Sequence, residues 1–140
     1  MTQKSDSPAS VPDSTVRMHV EAFDRSAFAL LLGMRVTEAR DGYARVTMPC
    51  REKNNAHGVA HGGAIFSLAD HAFGVAANCG GIDRVAVSVH IQYLVPATGD
   101  LVAVANRVAE NGKYSTYRVM VCDGERTVAA FDGVALRVSG

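Results

Sequence analysis

The sequence predicts an α+β protein in which a curved antiparallel sheet wraps around one long central helix, preceded by a short N-terminal helix. Residues 63–77 are apolar at all but three positions, so this segment would form a helix that is buried on nearly all sides. Residues 84–94 alternate in the manner of a strand, which would place these side chains on one face: Val85, Val87, Val89, Ile91 and Tyr93. Three tight-turn dipeptides predict antiparallel neighbours: Asp41-Gly42, Asn111-Gly112 and Asp123-Gly124.

The first elements follow from periodicity and from helix-ending residues. Residues 16–32 have a helical pattern, in which Asp24 or Ser26 could cap a second helical piece and Gly33 ends it. Residues 34–39 and 43–50 are predicted strands that form a hairpin, and residues 51–60 form a polar loop. The long apolar helix then runs from Gly62 to about Cys79, where two glycines end it.

The remaining elements are four strands, and they imply a partner subunit. The predicted strands cover residues 84–94, 101–109, 113–122 and 127–138, with a turn at 96–100. One sheet cannot cover a helix that is apolar all round. A second copy of the chain is therefore expected to cover the rest, which predicts a homodimer.

Composition sets the broad class of the protein. A chain of 140 residues with 48% apolar and 20% charged residues is typical of one globular domain. The formal net charge is zero, so no basic field favours nucleic acid or an anionic membrane. No apolar run is long enough to span a bilayer. We therefore expect neither nucleic acid nor a membrane as a partner.

The N-terminus and the cysteines indicate organisation and location. Residues 1–15 are rich in Ser, Pro and Asp, lack the apolar region of a signal peptide and are expected to form a disordered tail, followed by a single domain at 16–140. Cys50, Cys79 and Cys122 are odd in number and widely spaced. They are interpreted as reduced thiols of a cytoplasmic protein.

Asp70 and Gly62 are the residues that most clearly suggest chemistry. A carboxylate in an apolar helix is costly unless it is paired, protonated or used. Gly62 and Gly63 at the helix start offer backbone N–H groups to an anion or a carbonyl oxygen. Eight residues of helix separate Gly62 from Asp70 by about 12 Å, which is beyond hydrogen-bond reach of one reacting group. If both serve one reaction, they come from different chains, and the dimer has two composite active sites.

These positions suggest roles without deciding among them. The Gly62 N–H would stabilise negative charge on a carbonyl oxygen, and Asp70 would act as nucleophile or general base. Asn55 could orient the carbonyl or a water, and Ser88 could hold the attacking water. Asp70 is equally interpretable as a structural hydrogen-bond hub, and the glycine pair as an aid to close packing. His57 and His61 have a spacing that metal ligands use, but no HExxH motif or cysteine pair accompanies them, so no metal site is predicted.

Several motifs together resemble one family. NAHGVAHGG at 55–63 is followed by FSLAD at 66–70 and by Ala72-Phe73. Matching pieces also occur at 32–34, 41–44, 93–97 and 99–100. From about Phe23 to the C-terminus, the chain resembles the PaaI-type (phenylacetyl-CoA) branch of the hotdog-fold acyl-CoA thioesterases.

The resemblance implies a fold, an assembly and a reaction. It implies a hotdog fold, dimers that often pair into tetramers, and hydrolysis of a thioester to CoA and a carboxylic acid without a metal or redox cofactor. By motif position, Gly62 would polarise the thioester carbonyl, with His61 shaping that loop, and Asp70 of the partner subunit would be nucleophile or general base. Asn55 would assist at the carbonyl, and Ser88 would position water.

The acyl group is the least determined part of the expected reaction. An aryl-acetyl or medium-chain acyl group is expected, with Gly63, Phe66 and Phe73 as candidate substrate-binding residues and Tyr93 as a further pocket wall. Core packing is the competing explanation for these aromatic residues. Val95 stands where the family often has a basic residue that could contact CoA phosphate. A hotdog hydratase or dehydratase, a non-catalytic acyl-CoA-binding module and a structural oligomer are the alternatives.

Overall fold

The structure is a computed structural model that describes residues 12–138. The helices are α1 (Asp13–Asp24), α2 (Ala27–Leu32) and α3 (Gly62–Asn78). The strands are β1 (Arg35–Arg40), β2 (Tyr43–Met48), β3 (Arg84–Tyr93), β4 (Leu101–Glu110), β5 (Tyr114–Asp123) and β6 (Arg126–Arg137). Each element matches one that the sequence predicted, which confirms the α+β class.

The six strands form one antiparallel sheet in the order β1-β2-β4-β5-β6-β3. The strand that follows α3 in sequence therefore lies at the edge of the sheet opposite to β1. The helix α3 packs across the sheet, and its Leu68, Ala72 and Phe73 are at most 2% exposed. Phe73 contacts the rings of Tyr117 and Phe131 at centroid distances of 5.2 and 5.8 Å, which anchors the middle of the helix.

The N-terminal helical region is divided as the capping residues predicted. Ser26 caps α2 by accepting from the Ala29 N–H at 3.3 Å, and Gly33 ends α2 with a φ of 70°. Asp24, the other candidate cap, accepts instead from the Val36 N–H at 2.8 Å and so ties α1 to the edge strand β1. The helix α1 begins at Asp13, before the domain boundary expected at residue 16. Residues 1–11 of the expected tail lie outside the described residues.

A β-bulge changes the faces predicted for β3. Val85 pairs with Leu136 and Val89 pairs with Gly133, with a register shift between Ala86 and Ser88. Since positions 133 and 136 lie on opposite faces of β6, Val85 and Val89 do too. The expectation of one uniform apolar face was wrong, because the extra residue at the bulge reverses the alternation.

Helix α3 is apolar but has only 17 residues. Among residues 12–138, no helix is both long enough and apolar enough to cross a bilayer.

Candidate active site

The N-terminus of α3 leaves one backbone donor without an acceptor. His61 is the N-cap residue, and its Nδ1 accepts from the Gly63 N–H at 2.8 Å. The His61 carbonyl accepts from the N–H groups of Ala64 and Ile65 at 2.9 and 3.2 Å. Within the described chain, the Gly62 N–H is the first-turn donor that these caps leave open. It lies at the positive end of the helix, where a developing negative charge is stabilised.

The two glycines at this turn differ in how much room they leave for a side chain. A Cβ on Gly63 would lie 3.0 Å from His61 Nδ1, so a side chain there would press on the capping ring. A Cβ on Gly62 would lie 3.4 Å from the Tyr93 ring, which is an ordinary contact. Gly63 therefore serves the cap, and its N–H is already bonded. Its predicted substrate contact would have to use some other atom.

Asn55 organises the polar loop that leads into the helix. Its Oδ1 accepts from the N–H groups of His57 at 2.8 Å and Val59 at 3.3 Å, and its own N–H donates to Val59 O at 2.7 Å. The side-chain oxygen is thus used within the loop. The side-chain NH₂ makes no hydrogen bond within residues 12–138, so it is the group that remains to donate to a ligand.

Gly62 and Asn55 border the same space, which we call the Gly62 cleft. Its volume is about 470 Å³. Its other lining residues are His57, Val59, Ala60, Ile65, Tyr93, Leu94, Val95, Pro96 and Ala97. Apart from the two donors and the polar tips of His57 and Tyr93, the walls are apolar, as in sites that bind an organic group and orient it with few polar contacts.

Asp70 lines a different space, which we call the Asp70 cleft. Its volume is about 170 Å³. Its other lining residues are Phe73, Gly74, Ala77, Asn78, Arg84, Val85, Ala86 and Ala135. The two clefts have no lining residue in common. A single chain therefore does not bring the Gly62 amide and the Asp70 carboxylate to one cleft.

Asp70 is half-buried and makes no hydrogen bond or ion pair within the described residues. Burial raises the pKa of its carboxyl group above the ordinary value of 3.8. A structural hydrogen-bond hub would have its oxygens bonded, so these surroundings disfavour that interpretation. A carboxylate left without partners at the edge of a cleft is instead typical of a group that acts on a ligand.

The remaining predicted site residues are spread over the fold. Ser88 is exposed on the edge strand β3, just after the bulge, and lines neither the Gly62 cleft nor the Asp70 cleft. Phe66 packs against Phe131 with ring centroids 5.8 Å apart and lines neither cleft. Phe73 is a core residue that also borders the Asp70 cleft.

His71, the neighbour of Asp70, does not line the Asp70 cleft. Its ring packs edge-on against Phe23 of α1 at 5.4 Å, and its Nε2 is buried without a hydrogen-bond partner in the described part of the chain. Burial lowers the pKa of His71, so the ring is neutral at pH 7. It helps to hold α1 on α3.

Two sets of contacts at the site could not be predicted from the sequence, those of Tyr93 and those of Arg84. The Tyr93 hydroxyl donates to Gly62 O at 3.1 Å, although the residues are 31 positions apart. Arg84 borders the Asp70 cleft, with its guanidinium bonded to Ala77 O at 2.7 Å and to Glu110 at 3.2 Å. Both contacts depend on where β3 lies in the sheet, and no local pattern encodes the strand order.

Known proteins match this chain in sequence and in fold. The thioesterase superfamily matches residues 57–130, which contain α3 and most of the strands that follow it. The chain belongs to the thioesterase superfamily. An acyl-coenzyme A thioesterase, PaaI of Escherichia coli, is 35% identical over 84% of this chain and 87% of that protein.

Solved structures of thioesterase relatives match this chain in fold. The E. coli PaaI protein from the phenylacetic acid degradation operon has a TM-score of 0.85 at 31% identity, over 91% of this chain and 96% of that one. A point mutant of the phenylacetic acid degradation protein PaaI of Thermus thermophilus has a TM-score of 0.77 at 34% identity, over 81% and 100% of the two chains. The similarity confirms the predicted hotdog fold and the thioester hydrolase class.

Proposed function

We propose that this thioesterase hydrolyses an aryl-acetyl-CoA or medium-chain acyl-CoA to CoA and a free acid, in two equivalent active sites that two copies of the chain share. One observation carries the shared site. Within residues 12–138, the Gly62 N–H and the Asp70 carboxylate both lack partners, yet they border separate clefts. The acyl-CoA class is supported by the name of the E. coli relative, an acyl-coenzyme A thioesterase.

In the proposed reaction, the Gly62 cleft binds the thioester carbonyl. Its oxygen accepts from the Gly62 N–H and from the Asn55 NH₂, and both donors stabilise the oxyanion as it forms. As a general base, Asp70 of the partner subunit would take a proton from a water that attacks the carbonyl carbon; the C–S bond then breaks, and that proton passes to the departing thiolate of CoA. As a nucleophile, Asp70 would attack the carbonyl carbon itself; loss of the CoA thiolate, which takes a proton from solvent, leaves an anhydride that a water hydrolyses to the free acid and the Asp70 carboxylate. In either route, Ser88 is the group that would hold the water.

The two edges of the sheet support a particular dimer. Strand β1 is only six residues long, and its Val36 N–H is already bonded to Asp24. Strand β3 is ten residues long and leaves Val85, Val87 and Val89 38–50% exposed. A long apolar edge is a surface for strand pairing, whereas a short bonded edge resists it. We therefore propose that two copies pair through β3, which lies beside the Asp70 cleft.

A second apolar surface would remain on such a dimer. Phe28, Leu30 and Leu31 of the short helix α2 are 54–76% exposed. Exposed apolar patches of this kind mark interaction sites. The proposal accordingly includes the pairing of two dimers into a tetramer, which light scattering would detect.

The cysteines support a cytoplasmic location for this enzyme. All three lie within residues 12–138 and are free thiols, with Cys50 and Cys79 buried. Burial raises the pKa of Cys79 to about 11, and its Sγ–H donates to Arg40 O at 3.0 Å. Buried, protonated thiols of this kind are typical of proteins in a reducing compartment.

Mixing two inactive variants tests the shared site. Gly62→Pro removes the amide donor, and Asp70→Asn removes the carboxylate. In a mixed dimer, one site then has both defects and the other has none. With equal amounts and free subunit exchange, half of the dimers are mixed, so about a quarter of the wild-type activity should return. A site within one chain would stay inactive in every dimer, and that result would contradict the proposal.

A substrate panel tests the reaction itself. Release of free CoA would be followed with a thiol reagent for phenylacetyl-CoA and for short, medium and long acyl-CoA thioesters. We expect the highest kcat/KM for an aryl-acetyl or medium-chain substrate. No release from any thioester would instead favour a non-catalytic acyl-CoA-binding module.

A further inference from the structure

Tyr93, the last residue of β3, lies directly against the first residue of α3. Its hydroxyl donates to Gly62 O at 3.1 Å. Two of its ring atoms lie 3.4 and 3.5 Å from the point that a Cβ on Gly62 would occupy. The residue is 52% exposed and lines the Gly62 cleft. Tyr93 therefore contacts both the donor residue and the space in which a substrate would bind.

The Gly62 carbonyl does not need this hydrogen bond to be satisfied. In an α-helix a carbonyl accepts from the N–H four residues later, and Gly62 is the first residue of α3. The tyrosine uses the second lone pair of an oxygen that already has a helical partner. Its hydroxyl, on an exposed residue, could equally be hydrated, so the bond contributes little net stability.

The Gly62 N–H, in contrast, depends on its neighbours for its direction. It has no acceptor in the described chain, whereas the next three N–H groups of α3 all bond to His61. The His61 ring fixes the turn on one side of Gly62, and the Tyr93 hydroxyl fixes it on the other. A donor to an oxyanion must be placed to within a fraction of an ångström, because small displacements cost large factors in rate.

We propose that Tyr93 is a positioning residue that, together with the His61 cap, aims the Gly62 N–H into the cleft. This inference rests on the proposed function, because it assigns Tyr93 a part in stabilising the oxyanion of a thioester. Tyr93 acts through the Gly62 backbone and transfers no proton itself. Its ring forms the wall beside the amide, so the substrate contacts of the ring are separate from the effect of the hydroxyl.

The variant Tyr93→Phe tests this role, because it keeps the ring and removes only the hydroxyl. We expect kcat to fall about tenfold, since about one neutral hydrogen bond is lost from the support of the transition state. KM should stay within about twofold, because the wall of the cleft is unchanged. The matched control is Tyr43→Phe, which removes a hydroxyl that donates to Glu38 at 3.2 Å. Tyr43 lines neither cleft.

Three results would overturn the inference for an active enzyme. One is an unchanged kcat in Tyr93→Phe. Another is a fall in kcat that a matching fall in the melting temperature explains, because that indicates a structural role. The third is the loss of an alkaline limb of the pH profile that the wild type has, because that indicates proton transfer by Tyr93 itself.

A measurement without turnover separates this inference from the proposed function. The NMR order parameter of the Gly62 amide reports its motion in the free protein. It should be lower in Tyr93→Phe than in the wild type and in Tyr43→Phe, and an unchanged value would contradict the positioning role. If the wild type hydrolyses no acyl-CoA, the proposed function fails, and the order parameter still decides whether Tyr93 holds this amide.

Discussion

The Gly62 cleft and the Asp70 cleft differ in how a single chain prepares their polar groups. In the Gly62 cleft, the donors are held by a network in which His61 caps the helix, Asn55 closes the loop and Tyr93 bonds to the first turn. In the Asp70 cleft, the carboxylate has no partner in the described chain and is surrounded mainly by small or apolar side chains. Hydrogen bonds within the chain therefore orient the donors of the Gly62 cleft, whereas no such bond holds the Asp70 carboxylate. The Gly62 cleft supplies donors for an oxyanion and the Asp70 cleft supplies a carboxylate, which favours an active site completed by two chains.

Replacing Asp70 should produce the largest effect on activity. Asp70→Asn keeps the size of the side chain but removes the group that attacks or takes the proton. We expect kcat to fall about 10³-fold, within the range for loss of a general base. Free CoA release and circular dichroism would be measured on the same samples. Asp132→Asn is the control, because it changes an exposed carboxylate that pairs with Arg118 outside both clefts. A loss below tenfold would show that Asp70 is not the reactive group.

Two substitutions at Gly62 should separate the N–H from the lack of a side chain. Proline suits the first position of a helix, and the φ of −63° and ψ of 136° at His61 are compatible with a following proline. Gly62→Pro therefore removes the donor while α3 can form, and we expect kcat to fall about 10²-fold. Gly62→Ala keeps the N–H and adds a Cβ at an ordinary 3.4 Å from Tyr93.

Steady-state kinetics of the two Gly62 variants would be compared directly. Gly62→Ala keeps the backbone N–H, so it should retain most of the activity if this donor is the catalytic feature of Gly62. If alanine is as damaging as proline while both variants melt normally, the lack of a side chain at this position is the essential feature. The oxyanion role of the Gly62 N–H would then be wrong.

The sequence predicted most of the fold because its signals were local. The apolar run of the long helix, the turn dipeptides at Asp41 and Asp123, and the Ser26 cap are each signals within one short segment. The strand order and the β-bulge between Ala86 and Ser88 were not predictable, because they depend on pairing between segments far apart in the chain. The fold therefore follows from short-range patterns, while the sheet edge that the proposed dimer uses does not.

The candidate site likewise has features that the sequence predicted and features that it did not. The separation of Gly62 from Asp70 follows from helix geometry, so the sequence alone excluded a reaction between them within one chain. The contact between Tyr93 and Gly62 was not predictable, because it joins the end of an edge strand to the start of a helix. Ser88 remains a prediction. Its motif position suggests a role, but in one chain it lines neither cleft.

The pKa of Asp70 predicts a smaller effect, on stability. Because burial raises this pKa above 3.8, the folded state disfavours the charged carboxylate relative to the unfolded state. Below pH 3.8 the carboxyl is protonated in both states and there is no penalty. The penalty appears as the pH rises from 3.8 through the raised pKa, and it is complete above it. The contribution of Asp70 to stability therefore falls over this interval.

Asp70→Asn should lack this pH-dependent penalty, because its amide stays neutral. At pH 7 we expect the variant to melt above the wild type, with a difference that shrinks as the pH falls towards 3.8. Thermal unfolding at a series of pH values, with Asp132→Asn as the control, would measure it. A wild type that melts higher than Asp70→Asn at pH 7 would mean that the carboxylate has a stabilising partner in the assembled protein. Hydrogen bonds or an ion pair would then hold the Asp70 carboxylate in place, as hydrogen bonds hold the donors of the Gly62 cleft.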